Sequence, residues 1–582
     1  MGGFLSGLWK KEEPQKKPIK GIAPRLKNIL TNNFRGIIGC LVPIAVLSWQ
    51  FERYVPSKKV SIMWMWIIWF FLLQPVSVPV SGLIPVFFLP MSGCMSSAQT
   101  CECYMNENVV LFLLASMLLL VLNNSGMDRR IALSFLCSGD ACQFSAKRLI
   151  FKASTAAFFL SMFSSRLIAT ATITQYVTPV LMSLKSSAKK GGADPDFDEM
   201  RYILNNAIQT ASGIGSVAVV HSSYATLVFR GIFHEAPPRK KEFPDIFNYL
   251  QYSAFAFPVA FVMFVCNFTY HMMLANSVLG KPMTAGSMAE VRKQLLKYQA
   301  ELPRKTTLHE KLSVLSTILY LFVFFFRWNQ WIDGWSEFRT DPYSSNIPRI
   351  KDATTAAIFV IVLHTMPKSY GFLKYLDAEK KSELPPLKAE SAILWWRFVD
   401  KNTNWGYFLV FGCAHAILNS ARDTGLGEII SENFGTSFTG QPWNTSIFLV
   451  VFLTSLLCNM MTAAAACAVF LPFVMCMAPG AQLPWPNKVY IGALGVGVAS
   501  SFGFCFPFMY TPAYFCHHTG KVPIKKMVKY SFIAVWICLI ILWLALILWA
   551  PYLFDPEDDG IHWTIAQGAG KITIAEPTEP EA

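Results

Sequence analysis

The stretch LSMFSSRLIATATITQYVTP, residues 160–179, decides how this chain is read. It is apolar, hydroxyl-rich and about as long as a membrane span, yet it carries Arg166 near its middle. An ionised arginine at a bilayer centre costs about 2.5–3.5 kcal/mol on insertion scales, so it must face a cavity or a partner. The wider segment 150–183 is too long for one span and is polar in the middle. Two short helices joined at a tip fit it better, as a hairpin that enters and leaves the membrane on one side. Non-helical backbone at that depth is tolerated only against protein or water. Segment 446–478 has the same character.

The remainder of the chain has the composition of a membrane protein. Of 582 residues, 53% are hydrophobic and 15% charged, against about 25% charged in a soluble domain. Mean hydropathy is +0.39. Runs such as VVLFLLASMLLLVL (109–122) and IAVWICLIILWLALILWAPYLF (533–554) approach or reach the roughly 20 residues that cross a bilayer. Spans are expected near 35–52, 60–74, 76–91, 107–123, 203–235, 248–270, 311–327, 353–366, 404–421, 487–517 and 529–552, with 203–235 and 487–517 broken. The expected fold is an all-α polytopic membrane protein of about eleven transmembrane helices plus two re-entrant helical hairpins.

A net charge of +14 would suggest nucleic acid in a soluble protein. Here the basic residues sit in loops between spans, as the positive-inside rule expects, and nucleic acid is excluded as a partner. The N-terminal tail, 1–34, is basic and lacks the features of a signal peptide, so it is placed in the cytoplasm. The loop counts then put the linker 271–310 inside and the acidic tail 553–582 outside, with the hairpins opening to opposite sides of a plasma membrane.

The chain also repeats itself. LLVLNNSGMDRRIA (119–132) answers AHAILNSARDTGLGEII (414–430), and residues 159–182 answer 452–475. At a spacing of 293, Pro179 meets Pro472 and Arg166 meets Asn459. Each half, 35–270 and 311–552, runs span, hairpin, broken span. That order with opposed hairpins describes inverted repeats, which place a substrate site near the midplane between discontinuous helices.

At LFLLASMLLLVLNNSGMDRRIAL (111–133), FGCAHAILNSARDTGLGEII (411–430) and NWGYFLVFG (404–412) the chain resembles the divalent-anion/sodium symporter family, the sodium-coupled sulfate and di- or tricarboxylate transporters. The resemblance covers about 35–550 in order. It implies a homodimer whose transport domain slides past a scaffold, and two hairpin tips, each Ser-Asn-Thr, that hold sodium and substrate. The tips depart from that pattern. The first is Ser165-Arg166-Leu167 when anchored on LSM, or Ala169-Thr170-Ala171 when anchored on Pro179. The second is Thr462-Ala463-Ala464 when anchored on Pro472, or Cys458-Asn459-Met460 by the internal repeat. In the broken spans His221, Ser222, Ser223 and Thr226 replace the family's Thr, Gly, Thr and Asn, while Tyr510 and Ala513 replace Thr and Asn.

Two readings of Arg166 stand. It supplies a fixed positive charge where relatives hold sodium, its fork matched to carboxylate or sulfate, or it snorkels to the cytoplasmic face. Ser165, Thr170, Thr172, Ser222, Ser223, Thr226, Asn459, Thr462, Tyr510 and Thr511 complete the candidate site. Their hydroxyls can hold an anion or bond back to helical carbonyls. His221 can titrate with substrate or serve as a core histidine. No cofactor is expected, and sodium stands as a coupling ion whose usual asparagine ligands are largely missing.

Three local signals remain open: an N-glycosylation acceptor at Asn444, a disulfide among Cys94, Cys101 and Cys103, and an N-myristoylation pattern in MGGFLS (1–6). The sequence lacks a Walker motif and the HExxH and GxSxG signatures, so an enzyme is not expected. A secondary transporter of small anions, di- or tricarboxylates such as succinate or citrate, is the leading reading. A sulfate transporter and a non-transporting anion sensor or scaffold are the alternatives.

Overall fold

The computed structural model describes residues 22–48, 55–139, 144–188, 197–235, 246–279, 285–328, 331, 334–336, 350–373, 391–435, 442–477, 489–554, 563–565 and 572–574. MGGFLS lies outside them. Among the described residues, six helices, Ser97–Ser125, Arg166–Leu184, Tyr249–Val278, Leu308–Phe325, Trp443–Met460 and Ile524–Leu548, are long and apolar enough to cross a membrane. Shorter apolar helices such as Asp352–Thr365 and Ala463–Met477 lie among them.

Both segments that were too long for one span are helix–break–helix units. The first has arms Ala146–Phe163 and Arg166–Ala188, and the arms pack on each other. The break falls at Ser164, which is extended at φ −127° and ψ 175°. Ser164 Oγ donates back to Leu160 O at 2.9 Å, and Ser165 Oγ caps the next helix by accepting from Ile168 N at 3.3 Å. The second has arms Trp443–Met460 and Ala463–Met477 around an extended Met461. There Thr462 Oγ1 accepts from Ala465 N at 3.4 Å. Each arm after a break therefore starts with a hydroxyl N-cap, as helix starts favour.

This geometry chooses between the alternative alignments. The tips are Ser165-Arg166-Leu167 and Thr462-Ala463-Ala464, so Ser165 and Thr462 correspond, 297 residues apart, and Arg166 meets Ala463 rather than Asn459. Pro179 lies 13 residues beyond Arg166 but Pro472 only 9 beyond Ala463. The four-residue difference is about one helical turn. The proline spacing misregistered the tips for that reason, and Asn459 belongs to the last turn of the preceding arm.

Two further helices are interrupted. Phe197–Gly215 gives way to a short 3-10 turn, Val220–Ser222, before Tyr224–Glu235. Val489–Ala499 is separated from Thr511–His518 by an irregular stretch. Phe197–Gly215 lies along both arms of the first hairpin. A Cβ at Gly215 would strike the Phe158 carbonyl and the Ser161 hydroxyl, so only glycine permits this approach. The repeated motifs each turn a corner on a left-handed glycine, Gly126 at φ +79° and Gly425 at φ +72°.

Several boundaries differ from the sequence reading. The first helix is Ile22–Ser48, broken in geometry at Asn33, so it begins inside the supposed tail. Ala285–Ala300 forms a helix within the linker. An antiparallel pair, Trp563–Ile565 with Ile572–Ile574, lies in the acidic tail and qualifies the all-α expectation. Cys94, Cys101 and Cys103 are not joined to one another in a disulfide, and Cys103 Sγ is turned to Gln99 O at 3.5 Å. Asn444 sits in the first turn of Trp443–Met460 with its amide oxygen buried, a poor presentation for a glycan acceptor.

A buried charge cluster joins three elements. Asp352 accepts from Arg230, on the helix after the first break, and from Arg327, just past Leu308–Phe325. All three are 6% exposed or less. Removing one partner of a buried ion pair costs about 3–5 kcal/mol. Asp352→Ala is therefore expected to lose about that much stability, read as a lowered thermal unfolding midpoint in detergent. An unchanged midpoint would show the cluster to be dispensable.

Candidate anion site

Both hairpin tips and both helix breaks meet at one cavity of about 180 Å³. A single water needs only about 10–15 Å³ by the same kind of measure, so a multi-atom solute fits. The first tip contributes Ser165, Arg166, Leu167 and Ile168, and the second contributes Thr462, Ala463 and Ala464. The breaks add Ser222 and Tyr224 on one side and Met509, Tyr510 and Thr511 on the other. Four helices begin here, Arg166–Ala188, Ala463–Met477, Tyr224–Glu235 and Thr511–His518. Helix N-termini carry free amide groups and about half a positive charge each, so they favour an anion.

Arg166 adds a full charge. Its guanidinium stacks on the Tyr510 ring with Cζ 4.9 Å from the centroid. Its Nη1 has no hydrogen-bond partner, and no carboxylate pairs with it among the described residues. None of the described residues that line the cavity is acidic. Tyr510 is 2% exposed and is held against Gly213, where a Cβ would meet its hydroxyl and the Phe504 ring. Arg166 therefore lines a cavity beside Tyr510, the placement that the first of the two readings expects.

Six of the expected residues, Ser165, Arg166, Ser222, Thr462, Tyr510 and Thr511, come together at the cavity. The other five lie behind it and tie the walls together. Thr170 bonds Ser212 Oγ at 2.6 Å, and Thr172 donates to Asp128 Oδ2 at 3.0 Å. Ser223 meets Ser501 Oγ at 3.2 Å, and Thr226 donates to Ser223 O at 2.7 Å. Asn459 bridges Ser455 O at 2.8 Å to Cys505 N at 3.0 Å. His221 packs between Tyr249 and Tyr320, each ring 5.9 Å away, as a core histidine. Ser222 lines the cavity while its hydroxyl donates to Met162 O.

Sequence reasoning missed Asn123, Tyr224, Asn402, Asn404 and Tyr407, all of which line the cavity. Asn123 sits in the internally repeated LNNSG, which was the available signal. Tyr224 and Tyr407 face each other with ring centroids 5.5 Å apart.

The sodium:sulfate symporter transmembrane region model matches residues 41–555. The chain belongs to the sodium:sulfate symporter family. It is thus a multi-pass membrane protein of a transporter family, not of an enzyme family. Protein I'm not dead yet of Drosophila melanogaster is 22% identical over 85% of this chain and 84% of that protein. Sodium-dependent high-affinity dicarboxylate transporter 3 of Caenorhabditis elegans is 23% identical over 90% and 87%. The Na(+)/citrate cotransporter of Mus musculus is 21% identical over 83% and 89%. Among solved structures, MtrF of Neisseria gonorrhoeae, described as illuminating a class of antimetabolite efflux pumps, aligns at a TM-score of 0.52. It is 11% identical over 85% of this chain and 95% of that one, a likeness of fold alone.

The stacking of Arg166 on Tyr510 can be isolated within this family member. A cation–π contact is worth about 0.5–2 kcal/mol. Tyr510→Phe keeps the ring and should hold the unfolding midpoint better than Tyr510→Leu. In an Arg166→Gln background that gap should narrow by the coupling energy. An equal gap in both backgrounds would remove the contact from the account.

Proposed function

We propose that the chain is a secondary active transporter of small organic anions, di- or tricarboxylates such as succinate or citrate, acting without obligatory sodium coupling. One observation carries the reading. The Arg166 guanidinium, ion-paired to no described carboxylate, lies at a cavity where four helices begin. A planar guanidinium binds carboxylate through paired hydrogen bonds. The relatives named as dicarboxylate transporter and citrate cotransporter support the carboxylate class.

The same relatives are named for sodium, and the tips of this chain support a different coupling. Sodium is a hard ion that needs oxygen ligands. Arg166, Leu167, Ala463 and Ala464 offer no side-chain oxygen. The hydroxyls of Ser165 and Thr462 already cap helices. A fixed guanidinium would balance substrate charge in the place of an ion, which leaves exchange or uniport as the transport mode.

The repeated order of elements supports inverted repeats, with the two hairpins re-entrant from opposite sides and an elevator-type movement of the cavity. Basic loops support a cytoplasmic N-terminus and an extracellular C-terminus at the plasma membrane. A homodimer belongs to the same proposal through family membership.

Uptake of labelled succinate and citrate into proteoliposomes tests this, with sulfate as a third substrate. Uptake should survive replacement of sodium by choline. Hydrogen bonds to a charged group are worth about 1.5–3 kcal/mol, so Arg166→Gln should cut uptake roughly 10- to 100-fold. Complete loss of uptake in choline would sink the coupling claim, and absence of flux for every anion would leave a binding protein that does not transport.

A further inference from the structure

Beside the first hairpin tip, one amide is locked in a single orientation. Asn123 Nδ2 donates to Asp128 Oδ2 at 2.8 Å. The Thr172 hydroxyl donates to the same oxygen at 3.0 Å, and the Arg129 backbone N–H donates to Asp128 Oδ1 at 2.8 Å. Asp128 is fully buried. An amide's oxygen and nitrogen are ordinarily interchangeable in a structure and must be assigned from their partners. A carboxylate accepts and cannot donate, so the chemistry makes the assignment here: the Asn123 NH₂ faces Asp128 and its oxygen faces away.

That oxygen accepts no hydrogen bond among the described residues and is not buried. Asn123 lines the cavity, on the same wall system as Arg166. The site therefore presents two kinds of group to a bound anion. Arg166 and the first-turn amides donate, while Asn123 Oδ1 accepts. A carboxylate oxygen set against an amide oxygen repels it. A hydroxyl next to the carboxylate satisfies it.

We propose that Asn123 selects hydroxycarboxylates, anions bearing a hydroxyl on the carbon next to a carboxylate, over their unsubstituted counterparts. Asn123 is the specificity-determining residue, and Asp128 is the positioning residue that fixes its amide. A substrate ammonium would also donate to Asn123, but it would lie in a cavity that holds Arg166 and, among the described residues, no acidic side chain. The inference rests on the carboxylate reading above.

The test is equilibrium binding to the purified full chain, by calorimetry, of succinate, 2-methylsuccinate and L-malate. Methylsuccinate controls for size at the position of the hydroxyl. A single hydrogen bond to a neutral partner predicts about 3- to 10-fold tighter binding of malate than of either other anion. Asn123→Leu removes both the acceptor for the hydroxyl and the repulsion of a bare carboxylate, and should bring the malate-to-succinate Kd ratio to about one. Asp128→Asn frees the Asn123 amide to turn over and should level the same ratio with Asn123 still present. A purely structural role for Asp128 would weaken all three anions equally. If Asp128→Asn does not fold, the malate-to-succinate ratio of Asn123→Leu decides alone. Malate binding no tighter than methylsuccinate, with succinate still bound, overturns the selection and leaves the carboxylate reading intact. No binding of any of the three overturns both.

Discussion

An interrupted helix in a membrane leaves its first-turn N–H groups without partners, and the bilayer supplies no water to satisfy them. This chain interrupts helices at four places around one point. At the two hairpins a hydroxyl takes one amide, Ser165 for Ile168 and Thr462 for Ala465. First-turn residues of both hairpin arms, Arg166, Leu167, Ile168, Ala463 and Ala464, line the cavity. The cavity and the helix starts around it therefore have one origin, the set of broken helices. Arg166 adds a charge there at a cost, because a cation in the first turn of a helix is opposed by the helix dipole. The Tyr510 ring offsets part of that cost, and an anion would offset the rest.

The two hairpins are held by different forces. The second arm of the first hairpin is sewn to its neighbours by threonines: Thr170 to Ser212, Thr172 to Asp128, Thr178 to Asn205. The second arm of the second hairpin begins Ala463-Ala464-Ala465-Ala466, all buried, and relies on close packing of small side chains. Small residues allow helices in a membrane to approach closely, while hydrogen bonds fix them in register. The charged tip is thus on the hydrogen-bonded hairpin, and the uncharged tip on the close-packed one.

Much of this was legible in the sequence, for identifiable reasons. The polar middles of two over-long apolar segments exposed the hairpins, and Ser165 beside Arg166 exposed a tip. Pro472 located the second tip, but Pro179 and the pairing of the two prolines misled, because the proline stands about a turn further along the first arm. The threonines could not be sorted from sequence alone. Thr170 and Thr172 find their partners 42 and 44 residues away, and only tertiary structure decides whether a hydroxyl serves a ligand or a wall. Tyr224 and Tyr407 were invisible, since a tyrosine in an apolar run resembles any core or lipid-facing ring.

The difference between a guanidinium and a bound ion has a consequence for transport. A bound ion can enter and leave with the substrate, so the empty site need carry no charge through the membrane. Arg166 cannot leave. An empty carrier that moved its tip across the bilayer would bring an ionised group through low dielectric with only the Tyr510 face for compensation. Burying an uncompensated charge is among the most expensive steps a protein can take. The loaded carrier, with a carboxylate against the guanidinium, avoids that cost. Movement is then favoured only when an anion is aboard in each direction, so between the two modes of the proposed function the chemistry of this tip favours exchange over uniport.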